Sequence, residues 1–217
     1  MECCLWTRMY AASVYDRRVE QAAHVLAEGG IVAFPTDTVY GLGVDVFNGD
    51  AVKRLQAAKG RQADAPFPIL IAGMEQLEMV VQPVPPELDP LTEKYWPGAL
   101  TLVVPTSVPL PSALLRDGQV GVRLPDDPIC RRLIVKLGHP ITGTSANMSG
   151  EPPAMTADEV RRMLGHKVDY ILDAGKAQGG TPSTVLSLDS EGARVLREGA
   201  IPSDVLLKTI KSLRATA

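Results

Sequence analysis

The nine residues Pro35-Thr36-Asp37-Thr38-Val39-Tyr40-Gly41-Leu42-Gly43 constrain this chain more than any other stretch. Gly29-Gly30 closes a helix before them, and Ile31-Val32-Ala33-Phe34 is a short apolar run of the kind that forms a fully buried strand. Pro35 stops that strand. Two threonine hydroxyls, a carboxylate and a tyrosine follow, and two glycines then let the backbone approach a neighbour closely. Such a run has two readings. It can be a polar turn whose hydroxyls satisfy their own backbone. It can equally be a ligand loop, because loops at the ends of buried strands are where α/β proteins keep their ligands. The run by itself leaves both open.

A chain of 217 residues, 45% apolar and 22% charged, can bury a sizeable core. The formal net charge of −3 argues against a general nucleic-acid coat but leaves room for a local basic groove. Aromatics at 5% are too sparse for a platform that stacks single strands. The cysteines Cys3, Cys4 and Cys130 have neither metal-ligand spacing nor the even count of a disulfide framework, so they read as reduced thiols of a cytoplasmic protein. The first fifteen residues lack a signal peptide's basic start and long apolar run. No stretch approaches the roughly 20 apolar residues of a membrane span.

Residues 1–15 show no clear period and read as a loose arm ahead of one domain over 16–217. Asp16 is placed to cap a helix from Arg17 to Glu28, with Val19, Ala22, Ala23 and Leu26 on one face. Asp50 is placed to cap a second, Ala51 to Ala58, which runs into Lys59-Gly60-Arg61. Cations and a glycine suit a helix end. They also sit in a connection to the strand Ile69-Leu70-Ile71-Ala72, where they can face the first loop. A short helix is expected over Met74 to Val81, a proline-rich linker over Gln82 to Pro90, and strands over Leu100 to Val104 and Val120 to Pro125. Asp127-Pro128 signals a helix start, cap then proline. Ile141-Thr142-Gly143-Thr144 enters the loop Ser145-Ala146-Asn147-Met148-Ser149-Gly150, which is able to offer N–H groups and hydroxyls to a phosphate or to form a tight turn. Thr156-Ala157-Asp158-Glu159 matches a capping box. Tyr170 to Asp173 is a strand, Gly175 to Thr181 reads as mobile, and a hairpin over Val185 to Arg197 precedes a last helix from Asp204 to Leu213. The alternation predicts an α/β (α+β type) single domain, a twisted open mixed sheet with helices on its faces.

The common phosphate-loop, dinucleotide and serine-nucleophile signatures are absent, and His24, His139 and His166 are scattered. What remains is loops carrying hydroxyls and amides with the cations Lys59, Arg61, Arg123 and Arg197. That is equipment for binding anions and positioning reactants.

These loops carry a resemblance. The Pro35–Gly43 run, Lys59-Gly60-Arg61, Val122-Arg123-Leu124-Pro125, Ser145-Ala146-Asn147-Met148-Ser149-Gly150 and Ser183-Thr184-Val185 occur in this order. Together they resemble the YrdC family of threonylcarbamoyl-AMP synthases, from about Val19 to Ile201. The resemblance implies a YrdC-like twisted sheet around a deep, positively charged cavity. It implies a cytoplasmic enzyme of tRNA modification that joins L-threonine, bicarbonate and ATP into threonylcarbamoyl-adenylate and pyrophosphate. Downstream transferase proteins then place the group on tRNA, which is expected to bind weakly. The family's phosphate-holding tetrad falls on Lys59, Arg61, Ser145 and Asn147, with Arg197 near the nucleotide. Thr36, Arg123 and Ser183 match positions that hold threonine, Arg123 being a natural partner for a carboxylate. Mg2+ is expected to arrive on ATP, since no acidic pair suggests a protein-held metal. The chain departs from the pattern at Gln62, where many members have proline, at Leu70, where a histidine is usual, and at Gln119, where threonine is common. Longer members carry a further C-terminal domain, and by length this chain reads as the short form. Two competing readings are an RNA-binding module of the same fold, YciO-like with weak or no synthase activity, and an enzyme acting on sugar phosphates.

Overall fold

The apolar run after Gly30 forms β1 (Val32–Phe34), and Pro35 ends it because it has no N–H to give the ladder. After a turn over residues 35–40 the chain returns as β2 (Gly41–Gly43), antiparallel to β1 with Phe34 opposite Gly41. The structure, a computed structural model, describes residues 2–60, 66–189 and 192–216.

Two mixed sheets grow around this hairpin, where one was expected. The first runs β8 (Thr144–Ser145), β2, β1, β9 (Tyr170–Ile171). The second runs β11 (Gly192–Arg197), β10 (Thr184–Asp189), β4 (Leu100–Pro105), β6 (Gln119–Arg123), β3 (Ile69–Leu70), β7 (Ile141–Thr142), with β5 (Leu115–Arg116) beside β6. The chain crosses between them at Gly143. There Thr142 N–H donates to Val44 O at 2.9 Å and Thr142 Oγ1 accepts from Val44 N at 3.1 Å, which stitches the seam. Apolar runs indicate that a strand exists; they do not say which sheet it joins, and that choice is made by pairing across the chain.

Six α-helices pack on these sheets among the described residues. Helix α1 spans Glu2–Ala27, so the helix expected from Arg17 begins earlier and its backbone includes residues 2–15. No glycine or proline interrupts residues 2–27. Asp16 therefore lies inside the helix and pairs with Arg132 instead of capping. Helix α2 (Gly49–Lys59) is capped by Asn48, whose side chain accepts from Ala51 N–H, while Asp50 sits in the first turn. Helix α3 (Asp89–Tyr95) starts within the proline-rich stretch expected as linker, because Pro90 at the start of a helix costs no hydrogen bond. Helix α4 (Pro128–Leu137) has the expected Asp127 cap on Cys130 N–H, and α5 (Ala157–Leu164) has the complete Thr156–Glu159 capping box. Helix α6 (Ser203–Thr216) is the last described element. Met74–Met79 is a 3-10 helix, not an α-helix.

The apolar faces divide into two clusters. Val19, Ala22 and Leu26 of α1 pack with Leu133 and Ile134 of α4 against Phe34, Leu70 and Ile141. Ala51, Val52 and Leu55 of α2, Val160 and Leu164 of α5 and Leu206 of α6 pack on the opposite side, around Tyr40, Leu102 and Val122. Each fully buried side chain of this size contributes about 1.5–3 kcal/mol. No helix among the described residues is long and apolar enough to cross a membrane.

Candidate active site

A cavity of about 620 Å³ opens where the two sheets meet. Its wall takes Thr144 and Ser145 from β8 of the first sheet and Leu70, Thr101 and Arg123 from β3, β4 and β6 of the second. Loops add Thr38, Val39, Gly60, Asn147, Gly150 and Ser183, and Lys59 and Arg197 join Arg123 as its cations among the described residues.

Lys59 reaches the cavity because of how α2 ends. Gly60 takes a left-handed conformation (φ 57°) that a side chain would disfavour, and its N–H returns to Ala57 O and Gln56 O. The Lys59 side chain is buried (3% exposed), where a bare ammonium would be costly. Its Nζ donates to Ser145 O at 2.7 Å, Asn147 O at 2.6 Å and Asn147 Oδ1 at 2.8 Å. An ammonium has three protons, and each of these acceptors can take one. Ser145 Oγ donates to the same Oδ1 at 2.7 Å, and Asn147 Nδ2 donates to Glu151 O. Lys59, Ser145 and Asn147 are thus one hydrogen-bonded unit on the cavity wall. Lys167 braces it, donating to Ala58 O at 3.1 Å beside Met148. Arg61 and Gln62 lie outside the described residues.

Arg123 ends β6, opposite Leu70 in the parallel register. Its Nε donates to Gly98 O, Nη1 to Thr38 Oγ1, and Nη2 to both oxygens of Asp37 at 2.6 Å. All three guanidinium nitrogens are therefore engaged, and Nη1, with one acceptor for its two protons, keeps a proton to offer. Ser183 Oγ bonds Thr101 Oγ1 at 2.8 Å, and Arg197 Nη2 donates to Ser183 O at 2.7 Å. Arg197 as a residue reaches solvent at the rim, yet burial of its guanidinium, and then the Arg123 charge, hold its pKa below the usual arginine value. Burial also raises the pKa of Asp127, with Asp37 adding like-charge repulsion. The buried Cys130 thiol is pushed well up by burial and is chemically quiet.

Six of the sequence-predicted site residues line this one cavity: Lys59, Ser145, Asn147, Arg123, Ser183 and Arg197. Thr36 does not. Its hydroxyl donates to Val39 O and accepts from Thr38 N–H and Val39 N–H, so it organises its own turn and puts Thr38 and Val39 on the wall. The first loop is thus a self-satisfied turn at Thr36 and a piece of cavity wall at Thr38 and Val39. Leu70, where the resemblance led to the expectation of a histidine, gives the wall an apolar patch, and Gln119 stands at the start of β6, away from the cavity lining. Sequence reasoning missed Thr101, a lone hydroxyl in an apolar strand, and the role of Asp37 as partner of Arg123. The glycine-rich segment over 175–181 is pinned, not loose. Gly175 O accepts from Tyr40 Oη at 2.7 Å, Ala177 N–H donates to Met155 O and Gly180 N–H to Thr38 O. Among the described residues no cluster of three His, Cys, Asp or Glu side chains is placed to hold a metal ion.

Residues 24–199 match the Sua5/YciO/YrdC family model, described as "Telomere recombination". The chain belongs to the Sua5/YciO/YrdC family. It is 40% identical over 202 residues to the threonylcarbamoyl-AMP synthase of Pyrococcus abyssi, covering 93% of this chain and 59% of that protein. It is 41% identical over 194 residues to the Bacillus subtilis protein of the same name, covering 88% and 56%. The crystal structure of P. abyssi Sua5 complexed with L-threonine superposes with a TM-score of 0.84 at 40% identity, over 88% of this chain and 57% of that one. The chain thus spans less than two thirds of the length of these relatives, and what it shares with them is the Sua5/YciO/YrdC domain that holds the cavity.

Proposed function

We propose that this protein is an L-threonylcarbamoyladenylate synthase, forming threonylcarbamoyl-AMP and pyrophosphate from L-threonine, bicarbonate and ATP. The observation that carries the reading is the convergence of the Lys59–Ser145–Asn147 unit and the Arg123–Ser183–Arg197 group on one cavity. Two ligand ends in one chamber suit a reaction that joins two substrates. The names of the relatives, and the threonine in the P. abyssi structure, support the same assignment.

In this reading the free Nη1 proton of Arg123 receives the threonine carboxylate, with the Thr38 and Ser183 hydroxyls beside it. The neutral amine of threonine takes up bicarbonate as a carbamate, releasing water. A carbamate oxygen attacks the α-phosphorus, and pyrophosphate leaves. Lys59 acts mainly by holding the Ser145–Asn147 turn in place, so that Ser149 and Gly150, the next residues on the wall, are positioned to meet the phosphates. Arg61 and Arg197 would supply further positive charge. Mg2+ would enter as the counter-ion of the triphosphate, and no step is derived through a protein-held ion. Weak, salt-sensitive tRNA binding and hand-over to transferase proteins complete the proposal.

The test is bicarbonate-dependent pyrophosphate release with adenylate product followed in parallel. L-threonine should support it, L-serine more weakly, and L-leucine not at all. Equal turnover with leucine, or an absolute need for tRNA, would sink the assignment.

A further inference from the structure

Arg123 differs from Arg197, the other arginine on the cavity wall among the described residues. Both oxygens of Asp37 accept from its Nη2 at 2.6 Å, and the two side chains are only 7% and 16% exposed. A cation and an anion held this closely offer less net charge to a ligand approaching from the chamber than a lone guanidinium would. Arg197, by contrast, pairs with no carboxylate among the described residues; its bonds go to Ser183. Asp37 does not itself line the cavity. It is backed by Gly179, where an added Cβ would stand 2.5 Å from Asp37 O, and Asp127 adds a second carboxylate near it.

The chamber thus faces a sorting problem. A guanidinium binds phosphate as readily as it binds a carboxylate. If it were unneutralised, Arg123 would attract a polyanion into the place of the amino acid. An amino acid is a zwitterion with no net charge, so a neutralised guanidinium with one free N–H can still bind its carboxylate. A phosphate dianion meets the Asp37 carboxylate on the same guanidinium. We propose that Asp37 is a specificity-determining residue, which neutralises Arg123 and so reserves that end of the cavity for a zwitterionic amino acid and turns phosphate away. This rests on the synthase reading for the identity of the amino acid. It does not rest on it for the exclusion of phosphate.

The experiment is calorimetric titration of L-threonine into the full chain, with and without excess inorganic phosphate, for wild type, Asp37→Asn and Asp37→Glu. Wild type and Asp37→Glu should bind threonine equally well in both buffers. In Asp37→Asn, phosphate should weaken threonine binding roughly tenfold or more, because a full positive charge is uncovered. Melting curves establish which variants are folded. A folded Asp37→Asn in which phosphate competes no better than in wild type overturns the proposal and leaves Asp37 a structural clamp. So does displacement of threonine from wild type by phosphate, which needs no variant and decides the matter if Asp37→Asn fails to fold. If wild type binds no threonine at all, the substrate reading fails. The Arg123 Nε–H resonance then still reports the charge role, with phosphate expected to shift it in Asp37→Asn and not in wild type.

Discussion

Replacing Lys59 by methionine keeps the length of the side chain and removes its ammonium. The consequence can be worked through the acceptors. Ser145 O keeps a bond from Asn147 N–H at 3.1 Å, and Asn147 Oδ1 keeps the one from Ser145 Oγ. Among the described hydrogen bonds, Asn147 O is the acceptor that keeps none. One buried carbonyl left bare costs about 1–3 kcal/mol, and the loss of bonds made by a charged donor adds to this. Relief of the cost of burying the ammonium offsets part of it. The expected net loss is about 2–3 kcal/mol, or roughly 4–12 °C in melting temperature for a domain of this size. The Ser145–Asn147 turn should then wander, and pyrophosphate release should fall on the order of 100-fold or more, the scale for losing a preorganised donor. The assay is thermal denaturation beside ATP- and threonine-dependent pyrophosphate release. A variant that melts with wild type and keeps near-wild-type rates would refute both the hydrogen-bonded unit and its role. Ser145→Ala removes a single bond to Oδ1 and should cost less stability, and the double variant should lose less rate than the product of the singles.

Gly179→Ala places a Cβ 2.5 Å from Asp37 O and 2.9 Å from Thr38 Cα, so the segment must lift. Melting should show about 1–3 kcal/mol of destabilisation, and the KM for threonine should rise more than that for ATP. Burial raises the Tyr40 pKa to about 12. Its neutral form is favoured by folding, so the stability it contributes is intact below pH 10 and lost as pH rises from 10 to about 12. Tyr40→Phe should flatten that alkaline decline in denaturant titrations, and should speed amide exchange over 174–181 by removing the bond to Gly175 O. Thr156→Ala breaks the capping box of α5 and should cost about 1 kcal/mol in a denaturant midpoint, with no change in threonine KM.

Much of this protein was legible locally. The proline after β1, the Asp127-Pro128 start of α4, the Thr156–Glu159 box and the left-handed Gly60 all act within a few residues, so the sequence alone determines them. The motif loops also named most of the cavity wall. Local signals misled where a proline that starts a helix was read as linker, at α3, and where a glycine-rich run was read as mobile although Tyr40 and Thr38 pin it. Asp16 and Asp50 satisfied the pattern of a cap but not its position, since a cap is fixed by where the helix begins, and α1 and α2 begin earlier. The site's connections were decided only by tertiary structure. Lys59 meets Asn147 across 88 positions, and Arg123 meets Asp37 across 86. Strands of two or three residues have almost no register preference of their own. Thr36 was claimed by its own turn, whereas the meeting of the two sheets decided that Thr38 and Asp37 lay against Arg123.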